Sequence, residues 1–380
     1  MTGALADWRY LMDDSVGGAE GLAFDEALAA SHTRDGDPAP TTLRLYTYRD
    51  HVALCGRFQH LEAEIHVDAC RETGTEVNRR PTGGGAIVMG GGQLGVAVCA
   101  PAPVEQSPKA ILREYSEGIV AGLARIGVEA SFGGKNDLKV DGRKIAGLGL
   151  FLDGHGGFLF HSSILADLDT RFMLDVLDIP AAKLGDAAVG AVERRVTTVT
   201  RETGGEWTGK SLRDVIAEGF AEAMGVELAD GQPTDLELER TTGLVESKYQ
   251  TEDWIFQRSP RSDSTGSAMI KTPGGLVRLY LAMSGDTIKS ALFAGDFNQL
   301  PAALSEFESR LKWARLDSQA LDRLATDAMP DGSGLGVDND DMVRVVLDAG
   351  RRATAVGVAA PSRTGSCYFP ESRDEGEKSR

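Results

Sequence analysis

Residues 78–93 read NRRPTGGGAIVMGGGQ, and this stretch carries the strongest indication of fold and function in the chain. Arg79 and Arg80 precede three consecutive glycines, a short apolar run and three more glycines. Consecutive glycines weaken a strand, because each loses much conformational entropy on folding and offers no side chain for packing. They suit a backbone that lies against a ligand and turns its N–H groups towards an anion, whose charge the arginines would complement. A glycine-rich hairpin with surface arginines explains the glycines alone equally well.

A second stretch, residues 133–149 (GGKNDLKVDGRKIAGLG), predicts a β-hairpin with Asp141 and Gly142 in a type I′ turn. Lys144 follows the turn among small residues, from which an ammonium group could reach a pocket. The alternative for a single lysine is a solvated strand edge, and the alternative for Asp137 is turn chemistry alone. His161 lies in the apolar run FLFHSSIL, where a histidine is more often a core residue than a catalyst.

Elsewhere, apolar periodicity predicts a mixture of strands and helices. Strands are expected at residues 42–48, 51–56, 76–80, 86–89, 93–99, 158–165, 276–283 and 287–293. Helices are expected at residues 21–30, 108–126, 211–224, 300–312, 317–329 and 340–350. Without strict βαβ alternation the pattern favours an α+β fold with a mixed or antiparallel sheet. A polar break near residue 231 suggests a larger domain at 1–240, a smaller α+β domain at 241–358 and a flexible tail at 359–380.

Composition narrows the function classes. The chain has 380 residues, with 40 Lys and Arg against 57 Asp and Glu, which gives a net charge of −17. So acidic a protein is poorly suited to non-specific binding of nucleic acids or anionic membranes, and we expect neither as a partner. No secretory or membrane-spanning segment is recognisable, so a cytoplasmic protein is expected. The scattered cysteines argue against a zinc site or a disulfide framework: Cys55, Cys70, Cys99 and Cys367.

Several motifs occur in a characteristic order. They are LAFDE at 22–26, CGRFQ at 55–59, RRPTGGGA at 79–86, GKNDL at 134–138, DGRKIAG at 141–147, His161, and DWIF at 253–256 followed by Gly274 and Gly275. Together they resemble the two-domain form of the lipoate–protein ligase A family, within the biotin/lipoate ligase superfamily. The resemblance covers most of the chain up to about residue 350, and the last two motifs resemble that family's accessory domain.

The resemblance implies an ATP-dependent ligase. Lipoate would attack the α-phosphate of ATP, pyrophosphate would leave, and the lipoyl-AMP would acylate a lysine of an apo-lipoyl domain. The implied cofactors are ATP and Mg²⁺, and lipoate is the implied substrate. The implied acceptors are the lipoyl domains of 2-oxoacid dehydrogenase E2 subunits and the H protein of glycine cleavage, and we expect a monomer. The accessory domain would close over the site and exclude water from the anhydride.

The resemblance also implies residue roles. Lys144 would be catalytic, and the nucleotide would be bound by Arg80, Gly85, Ala86, Ile87, Val88 and Lys144. Lipoate would be bound by Arg80, Thr82, Gly83, Gly84, Lys144 and His161. Asp137 would contact Mg²⁺ as a single hard oxygen ligand beside the substrate phosphates. Because lipoyl domains tend to be acidic, we expect a local basic patch near the site that includes Arg71, Arg79 and Lys135.

The chain departs from the family at three places, one of which is the family's serine near the lysine hairpin, where Ala146 or Leu148 stands. Met89 and Gly90 stand where a His-Asp pair is common, and Lys135 replaces an arginine, which is not a conservative change. Two alternatives therefore stay open: an octanoyl or lipoyl transferase of the same superfamily that works without ATP, and a lipoyl-binding homologue that has lost the reaction. One branch of the transferases uses an activated cysteine, and the sequence places no cysteine in the lysine hairpin or the glycine loop.

Overall fold

The structure of the protein is a computed structural model that describes residues 6–33, 39–103, 105–178 and 186–359. The predicted tail, 359–380, lies outside the described residues apart from Ala359, which ends the last helix. The chain divides into two compact units, Met1–Ser259 with Ala294–Gln299, and Pro260–Phe293 with Leu300–Arg380. None of the helices in the described part of the chain combines the length and apolarity that a bilayer crossing requires.

The strands are β1 (Ala6–Val16), β2 (Thr42–Tyr48), β3 (Val52–Cys55), β4 (Glu76–Arg79), β5 (Ile87–Met89), β6 (Gln93–Pro101), β7 (Ser131–Gly133), β8 (Asp137–Val140), β9 (Arg143–Leu152), β10 (Gly157–Leu165), β11 (Val226–Asp230), β12 (Gly266–Thr272), β13 (Gly275–Ser284) and β14 (Thr287–Gly295). The helices are α1 (Gly18–Ala29), α2 (Val67–Thr73), α3 (Pro108–Arg125), α4 (Thr170–Val176), α5 (Asp186–Glu193), α6 (Val199–Thr203), α7 (Gly209–Met224), α8 (Asp235–Leu244), α9 (Glu252–Ile255), α10 (Ala302–Leu311), α11 (Ser318–Ala328) and α12 (Asn339–Ala359). Each element predicted from periodicity is present near its expected position, although α12 ends at Ala359 rather than at 350.

The first unit is built on an eight-stranded mixed sheet in the order β11-β1-β2-β6-β10-β9-β8-β7. Strand β1 runs parallel to both of its neighbours, β11 and β2. All other neighbouring strands of this sheet, in the order β2-β6-β10-β9-β8-β7, are antiparallel. The predicted α+β class with a mixed sheet is therefore confirmed. Sequence periodicity did not reveal β1, whose residues carry too many charges to indicate a strand.

Helices cover both faces of this sheet. On one face, α3 and α7 pack over Phe158 and Phe160 of β10, which are fully buried. The two helices approach closely because α3 carries Gly118, where a Cβ would lie 2.5 Å from the ring of Phe220 in α7. On the other face, α1 contributes buried Leu22 and Leu28 to a second cluster. The core thus holds β9 and β10, which carry the candidate site, between packed helices.

A small sheet, in the order β4-β3-β5, presents the glycine-rich stretch. Strand β3 is parallel to β4 and antiparallel to β5. Ala53 and Cys55 of β3 are buried among side chains of α2 and α4. The loop between β4 and β5 contains the three glycines, so this sheet fixes both ends of that loop.

The second unit contains the three-stranded sheet β12-β13-β14, with helices α10, α11 and α12. Helix α12 packs on β12 at Gly266, where a Cβ would clash with the carbonyl oxygen of Ala349. The chain divides after Ser259 rather than after the expected residue 240, which lies inside α8. Helix α8 and the π-helical turn Val245–Tyr249 belong to the first unit, because Tyr249 and Lys248 bond to Glu26 of α1.

Candidate active site

The predicted hairpin is formed by β8 and β9 and brings Lys144 next to Asp137. Asp141 and Gly142 have φ values of 48° and 78°, as a type I′ turn requires. A register shift after Leu138 places Asp137 opposite Gly147. The Nζ atom of Lys144 donates to Oδ1 of Asp137 at 2.9 Å. A Cβ at Gly147 would lie 3.0 Å from this Nζ, so the glycine leaves room for the ammonium group.

The main chain of Lys144 is held from its other edge by residues 195–197. The N–H of Lys144 donates to the carbonyl oxygen of Arg195, and its carbonyl oxygen accepts from the N–H of Thr197, both at 2.8 Å. These bonds form a short parallel bridge with Val196. The backbone is thereby fixed, while 35% of the Lys144 side chain stays exposed. An anchored backbone with an accessible ammonium group is suited to contact a bound anion.

A cavity of about 230 Å³ opens beside Lys144. Four of the predicted nucleotide-binding residues line it, namely Ala86, Ile87, Val88 and Lys144. The other lining residues are Gly147, Ser163, Leu165, Leu168, Met173, Leu177, Val192, Arg195 and Val196. This cavity, called the smaller cavity below, is largely apolar. Its two charged lining residues, Lys144 and Arg195, are both cations.

Arg80 is buried and turned towards its own loop. Its guanidinium donates to Oγ1 of Thr82 at 3.1 Å and to the carbonyl oxygens of Leu54, Gly83 and Gly85 at 3.1, 2.8 and 2.7 Å. Burial lowers the pKa of Arg80 to about 10, and the neighbouring charge of Arg79 adds to this effect. These four bonds use four of the five N–H groups of the side chain. The bonds of Arg80 therefore hold the glycine-rich loop in its conformation. Direct binding of the nucleotide or of lipoate by Arg80 stays a prediction.

The first two glycines of the loop are required by the chain itself. A Cβ at Gly83 would clash with the carbonyl oxygens of Phe297 and Asn298, which lie in the segment Ala294–Gln299 of the same unit. Gly84 has a φ of 92°, and its N–H donates to the carbonyl oxygen of Phe297 at 3.0 Å. Gly85 is exposed, and a Cβ there would meet no atom within 4 Å. Of the three, Gly85 is therefore the glycine that leaves backbone open to a ligand.

His161 of β10 contacts Thr82 of the glycine-rich loop. The Nε2 atom of His161 lies 3.2 Å from Oγ1 of Thr82. Gly149, opposite His161 on β9, makes room for this pair, since a Cβ there would lie 2.9 Å from the imidazole ring. Burial, with a contribution from the charge of Arg80, lowers the pKa of His161 to about 3. The imidazole is therefore neutral at physiological pH and acts as a hydrogen-bonding group rather than as a cation.

A second cavity, of about 470 Å³, is lined in part by the glycine-rich loop. Gly83 and Gly149 line it, together with Arg57, Phe58, Pro81, Pro108, Lys109, Leu112, Gly134, Lys135, Leu150, Phe151, Leu152, Asn298 and Gln299. Of the predicted lipoate-binding residues, Gly83 is the one that lines this cavity, and Lys144 is the one that lines the smaller cavity. The structure thus places five of the predicted binding residues on these two cavities, whereas the others line neither: Arg80, Thr82, Gly84, Gly85 and His161.

The expected basic patch differs from the prediction. Arg79 is fully buried, and its Nη1 donates to the carbonyl oxygens of Gly56, Arg57 and Gln59. Arg71 is exposed but forms an ion pair with Asp68 at 2.7 Å. Including Arg79 in a surface patch was wrong, because its guanidinium is used to hold the turn that follows β3.

A magnesium ion would have one protein carboxylate at this site. Asp137 already accepts from Lys144, and within the described ranges no group of three or more His, Cys, Asp or Glu side chains could hold a metal. Mg²⁺ commonly binds through one or two carboxylates, with substrate phosphates and water completing its octahedron. The residues present therefore fit a magnesium ion that arrives with a nucleotide.

The cysteines of the described residues are buried and lie outside both cavities. Cys55, Cys70 and Cys99 are buried free thiols, and burial raises the pKa of Cys55 to about 11. Among the residues that the structure describes, no thiol lines either cavity. Cys367 lies outside the described residues.

Met89 and Gly90 supply no reactive group. Met89 is buried in β5 opposite Val52, and a Cβ at Gly90 would lie 2.6 Å from the ring of His51. Sequence reasoning did not single out the polar lining residues Ser163 and Arg195 of the smaller cavity. Ser163 lies on β10 opposite Gly147, and Arg195 is brought to Lys144 by the bridge at Val196, so spacing along the chain could not have indicated them.

The family model of the lipoyl protein ligase A/B catalytic domain matches residues 18–221, more than half of the chain. The chain belongs to this family. It is an enzyme of a family whose members transfer lipoyl and octanoyl groups, and the predicted membership of that superfamily is confirmed.

Relatives within this family differ in activity. The chain is 30% identical over 277 residues to octanoyltransferase LipM of Symbiobacterium thermophilum, covering 66% of this chain and 99% of that protein. It is 26% identical to the bi-partite lipoate protein ligase of Thermoplasma acidophilum, with a TM-score of 0.60 over 68% of this chain and 99% of that one. LipL1 of P. falciparum, solved in complex with lipoate, is 17% identical and shares the fold with a TM-score of 0.65 over 90% of this chain and 99% of that one.

Proposed function

We propose that the protein is an ATP-dependent lipoate–protein ligase that acylates a lysine of an apo-lipoyl domain. The observation that carries this proposal is the position of Lys144, whose ammonium group lines an acid-free cavity with Ile87 and Val88 while its backbone is clamped. A carboxylate is a poor electrophile, so an unactivated fatty acid requires activation before an amine can attack it. A fixed cation beside a recess that the glycine-rich loop helps to line can offset the negative charge that develops during such activation.

In the first step, a carboxylate oxygen of lipoate attacks the α-phosphorus of ATP, and the bond to pyrophosphate breaks. In the second, the neutral ε-amine of the acceptor lysine attacks the acyl carbonyl, AMP leaves with the electron pair, and the amine proton passes to solvent. Lys144 would offset the negative charge on the phosphate and carbonyl oxygens in both steps, with Asp137 fixing its direction. Arg80 would act indirectly, by holding the carbonyl oxygens of Gly83 and Gly85 so that the N–H groups of the loop keep their orientation.

A second candidate is acyl transfer from the thioester of an acyl carrier protein, without ATP. The name of the LipM relative favours it, because that protein is an octanoyltransferase. A cysteine nucleophile for such a transfer would have to be an accessible thiolate. The three thiols among the described residues are buried, which supports the ligase over a transferase that forms an acyl-cysteine.

The experiment that separates these functions gives the protein lipoate, ATP, Mg²⁺ and an apo-lipoyl domain, and follows pyrophosphate release and the mass of the acceptor. The ligase produces both signals. A parallel reaction offers octanoyl-acyl carrier protein in place of lipoate and ATP. Acylation in that arm without pyrophosphate in the first would replace the ligase by the transferase. Neither signal would identify a binding protein that has lost the reaction.

A further inference from the structure

Arg195 stands beside Lys144 on the segment that clamps it. The carbonyl oxygen of Arg195 accepts from the N–H of Lys144, and Arg195, an exposed residue, lines the same cavity of about 230 Å³. We propose that Arg195 is a second anion-binding residue of the active site, which holds the phosphate group of the acyl donor opposite Lys144. This inference rests on the proposed acyl transfer chemistry, but it does not depend on which donor is used.

The charges around the cavity support this role. Lys144 and Arg195 are its two charged lining residues. Lys144 is paired with Asp137, whereas Arg195 is exposed and has no carboxylate partner among the described residues. Neighbouring basic side chains are already engaged, since Arg143 pairs with Glu202 at 2.9 Å and Arg201 donates to the carbonyl oxygen of Glu193 at 3.0 Å. The guanidinium of Arg195 is therefore available to a ligand that enters the cavity.

The side-chain chemistry indicates the class of ligand. Guanidinium presents a planar fork of donors that matches two oxygens of a phosphate, whereas an ammonium group acts as a point charge. A phosphate ester occurs in both candidate donors, as the phosphates of ATP and as the phosphodiester of the phosphopantetheine arm of an acyl carrier protein. The rest of the lining is mostly aliphatic, for example Leu165 and Val192, and suits the apolar part of either donor.

Replacing this side chain should leave the fold intact. Position 195 holds Lys144 through its main-chain oxygen, which every substitution except proline keeps in place with little change. Arg194 provides a matched control, because it is an adjacent exposed arginine that does not line the cavity. Arg195→Gln and Arg194→Gln remove the same charge from neighbouring positions, so a general effect of net charge would appear in both.

The test measures binding of ATP with Mg²⁺ by calorimetry, and separately the KM for ATP and for octanoyl-acyl carrier protein, in the wild type and both variants. We expect Arg195→Gln to weaken ATP binding and raise the KM for ATP by about 10-fold or more, as for the loss of a charge-assisted hydrogen bond. Arg194→Gln should stay within about twofold of the wild type, and Arg195→Lys should fall between them. If the KM for the carrier protein rises instead, the phosphate that Arg195 holds is the phosphodiester.

Equal values for the Arg195 and Arg194 variants in both arms would overturn the proposal. A failure of the proposed ligase would look different. In that case the wild type releases no pyrophosphate, and the arm with octanoyl-acyl carrier protein still reports whether Arg195 contributes. Circular dichroism melting curves of the three proteins establish that each is folded.

Discussion

The Nζ atom of Lys144 lies 2.9 Å from Oδ1 of Asp137, across a hairpin in which the two residues are not directly paired. Asp137 is paired with Gly147 and Lys144 is paired with Lys139, with a register shift between these two pairs. The carboxylate therefore orients the ammonium group of Lys144, while the backbone of residues 195–197 holds the main chain of Lys144. This relationship leads to the first two predictions.

Lys144→Ala should reduce acyl transfer by at least about 100-fold, because it removes a positioned cation from the site of developing negative charge. The free energy of unfolding should change by less than about 1 kcal/mol, since the ion pair with Asp137 is partly exposed. Acceptor mass and urea unfolding provide the two measurements. Lys139→Ala, on the same hairpin but in neither cavity, should keep its activity. Full activity of Lys144→Ala would rule out the proposed role.

Asp137→Asn should raise the Mg²⁺ concentration needed for half-maximal activity and lower the maximal rate by about 10-fold. The amide keeps the shape of the side chain but loses the charge that pairs with Lys144 and would attract the metal ion. A titration of activity with Mg²⁺ measures both effects. The control is Asp141→Asn in the turn, because asparagine tolerates the φ of 48° at that position. An unchanged Mg²⁺ profile in Asp137→Asn would exclude this carboxylate as a ligand.

Gly83→Ala should destabilise the protein by about 1–3 kcal/mol, since the new methyl group would overlap the carbonyl oxygens of Phe297 and Asn298. Gly85→Ala should leave the melting temperature nearly unchanged, because a Cβ there meets no atom within 4 Å. It should nevertheless impair ATP binding, because the added methyl group would occupy the open space beside the backbone of Gly85. Thermal unfolding and calorimetric ATP binding of the two variants distinguish the roles. Similar melting temperatures for both would contradict the close approach at Gly83.

The unfolding free energy should depend on pH through His161. Its pKa is about 3 in the folded protein against 6.5 for a free imidazole, so between these values the unfolded chain binds a proton that the folded chain does not. Stability therefore decreases as the pH falls below about 6.5, by about 2 kcal/mol between pH 7.5 and 5.0. His161→Gln should lose this contribution, whereas His155→Gln, at an exposed position, should behave like the wild type. Parallel pH profiles for all three proteins would show that His161 is not buried as a neutral group.

Local patterns predicted the parts of the site that depend on neighbouring residues. The Asp141–Gly142 turn and its flanking strands were predictable, because two residues with positive φ fix a hairpin and hence the place of Lys144. The requirement for glycine at positions 83 and 84 was not predictable, because it depends on contacts with Phe297, more than two hundred residues away. The burial of Arg79 depends likewise on the turn at Gly56 and on the end of α9, with which its guanidinium bonds. Non-local packing of this kind leaves no periodic trace in the sequence.

The passage of Ala294–Gln299 back to the first unit has a practical consequence for dissecting the protein. A recombinant fragment that stops at Ser259 would contain every motif of the glycine loop and the lysine hairpin, yet it would lack the carbonyl oxygen that receives the N–H of Gly84. The first unit is thus formed by two separate segments of the chain. A truncated or domain-exchanged protein should therefore keep Ala294–Gln299 together with Met1–Ser259.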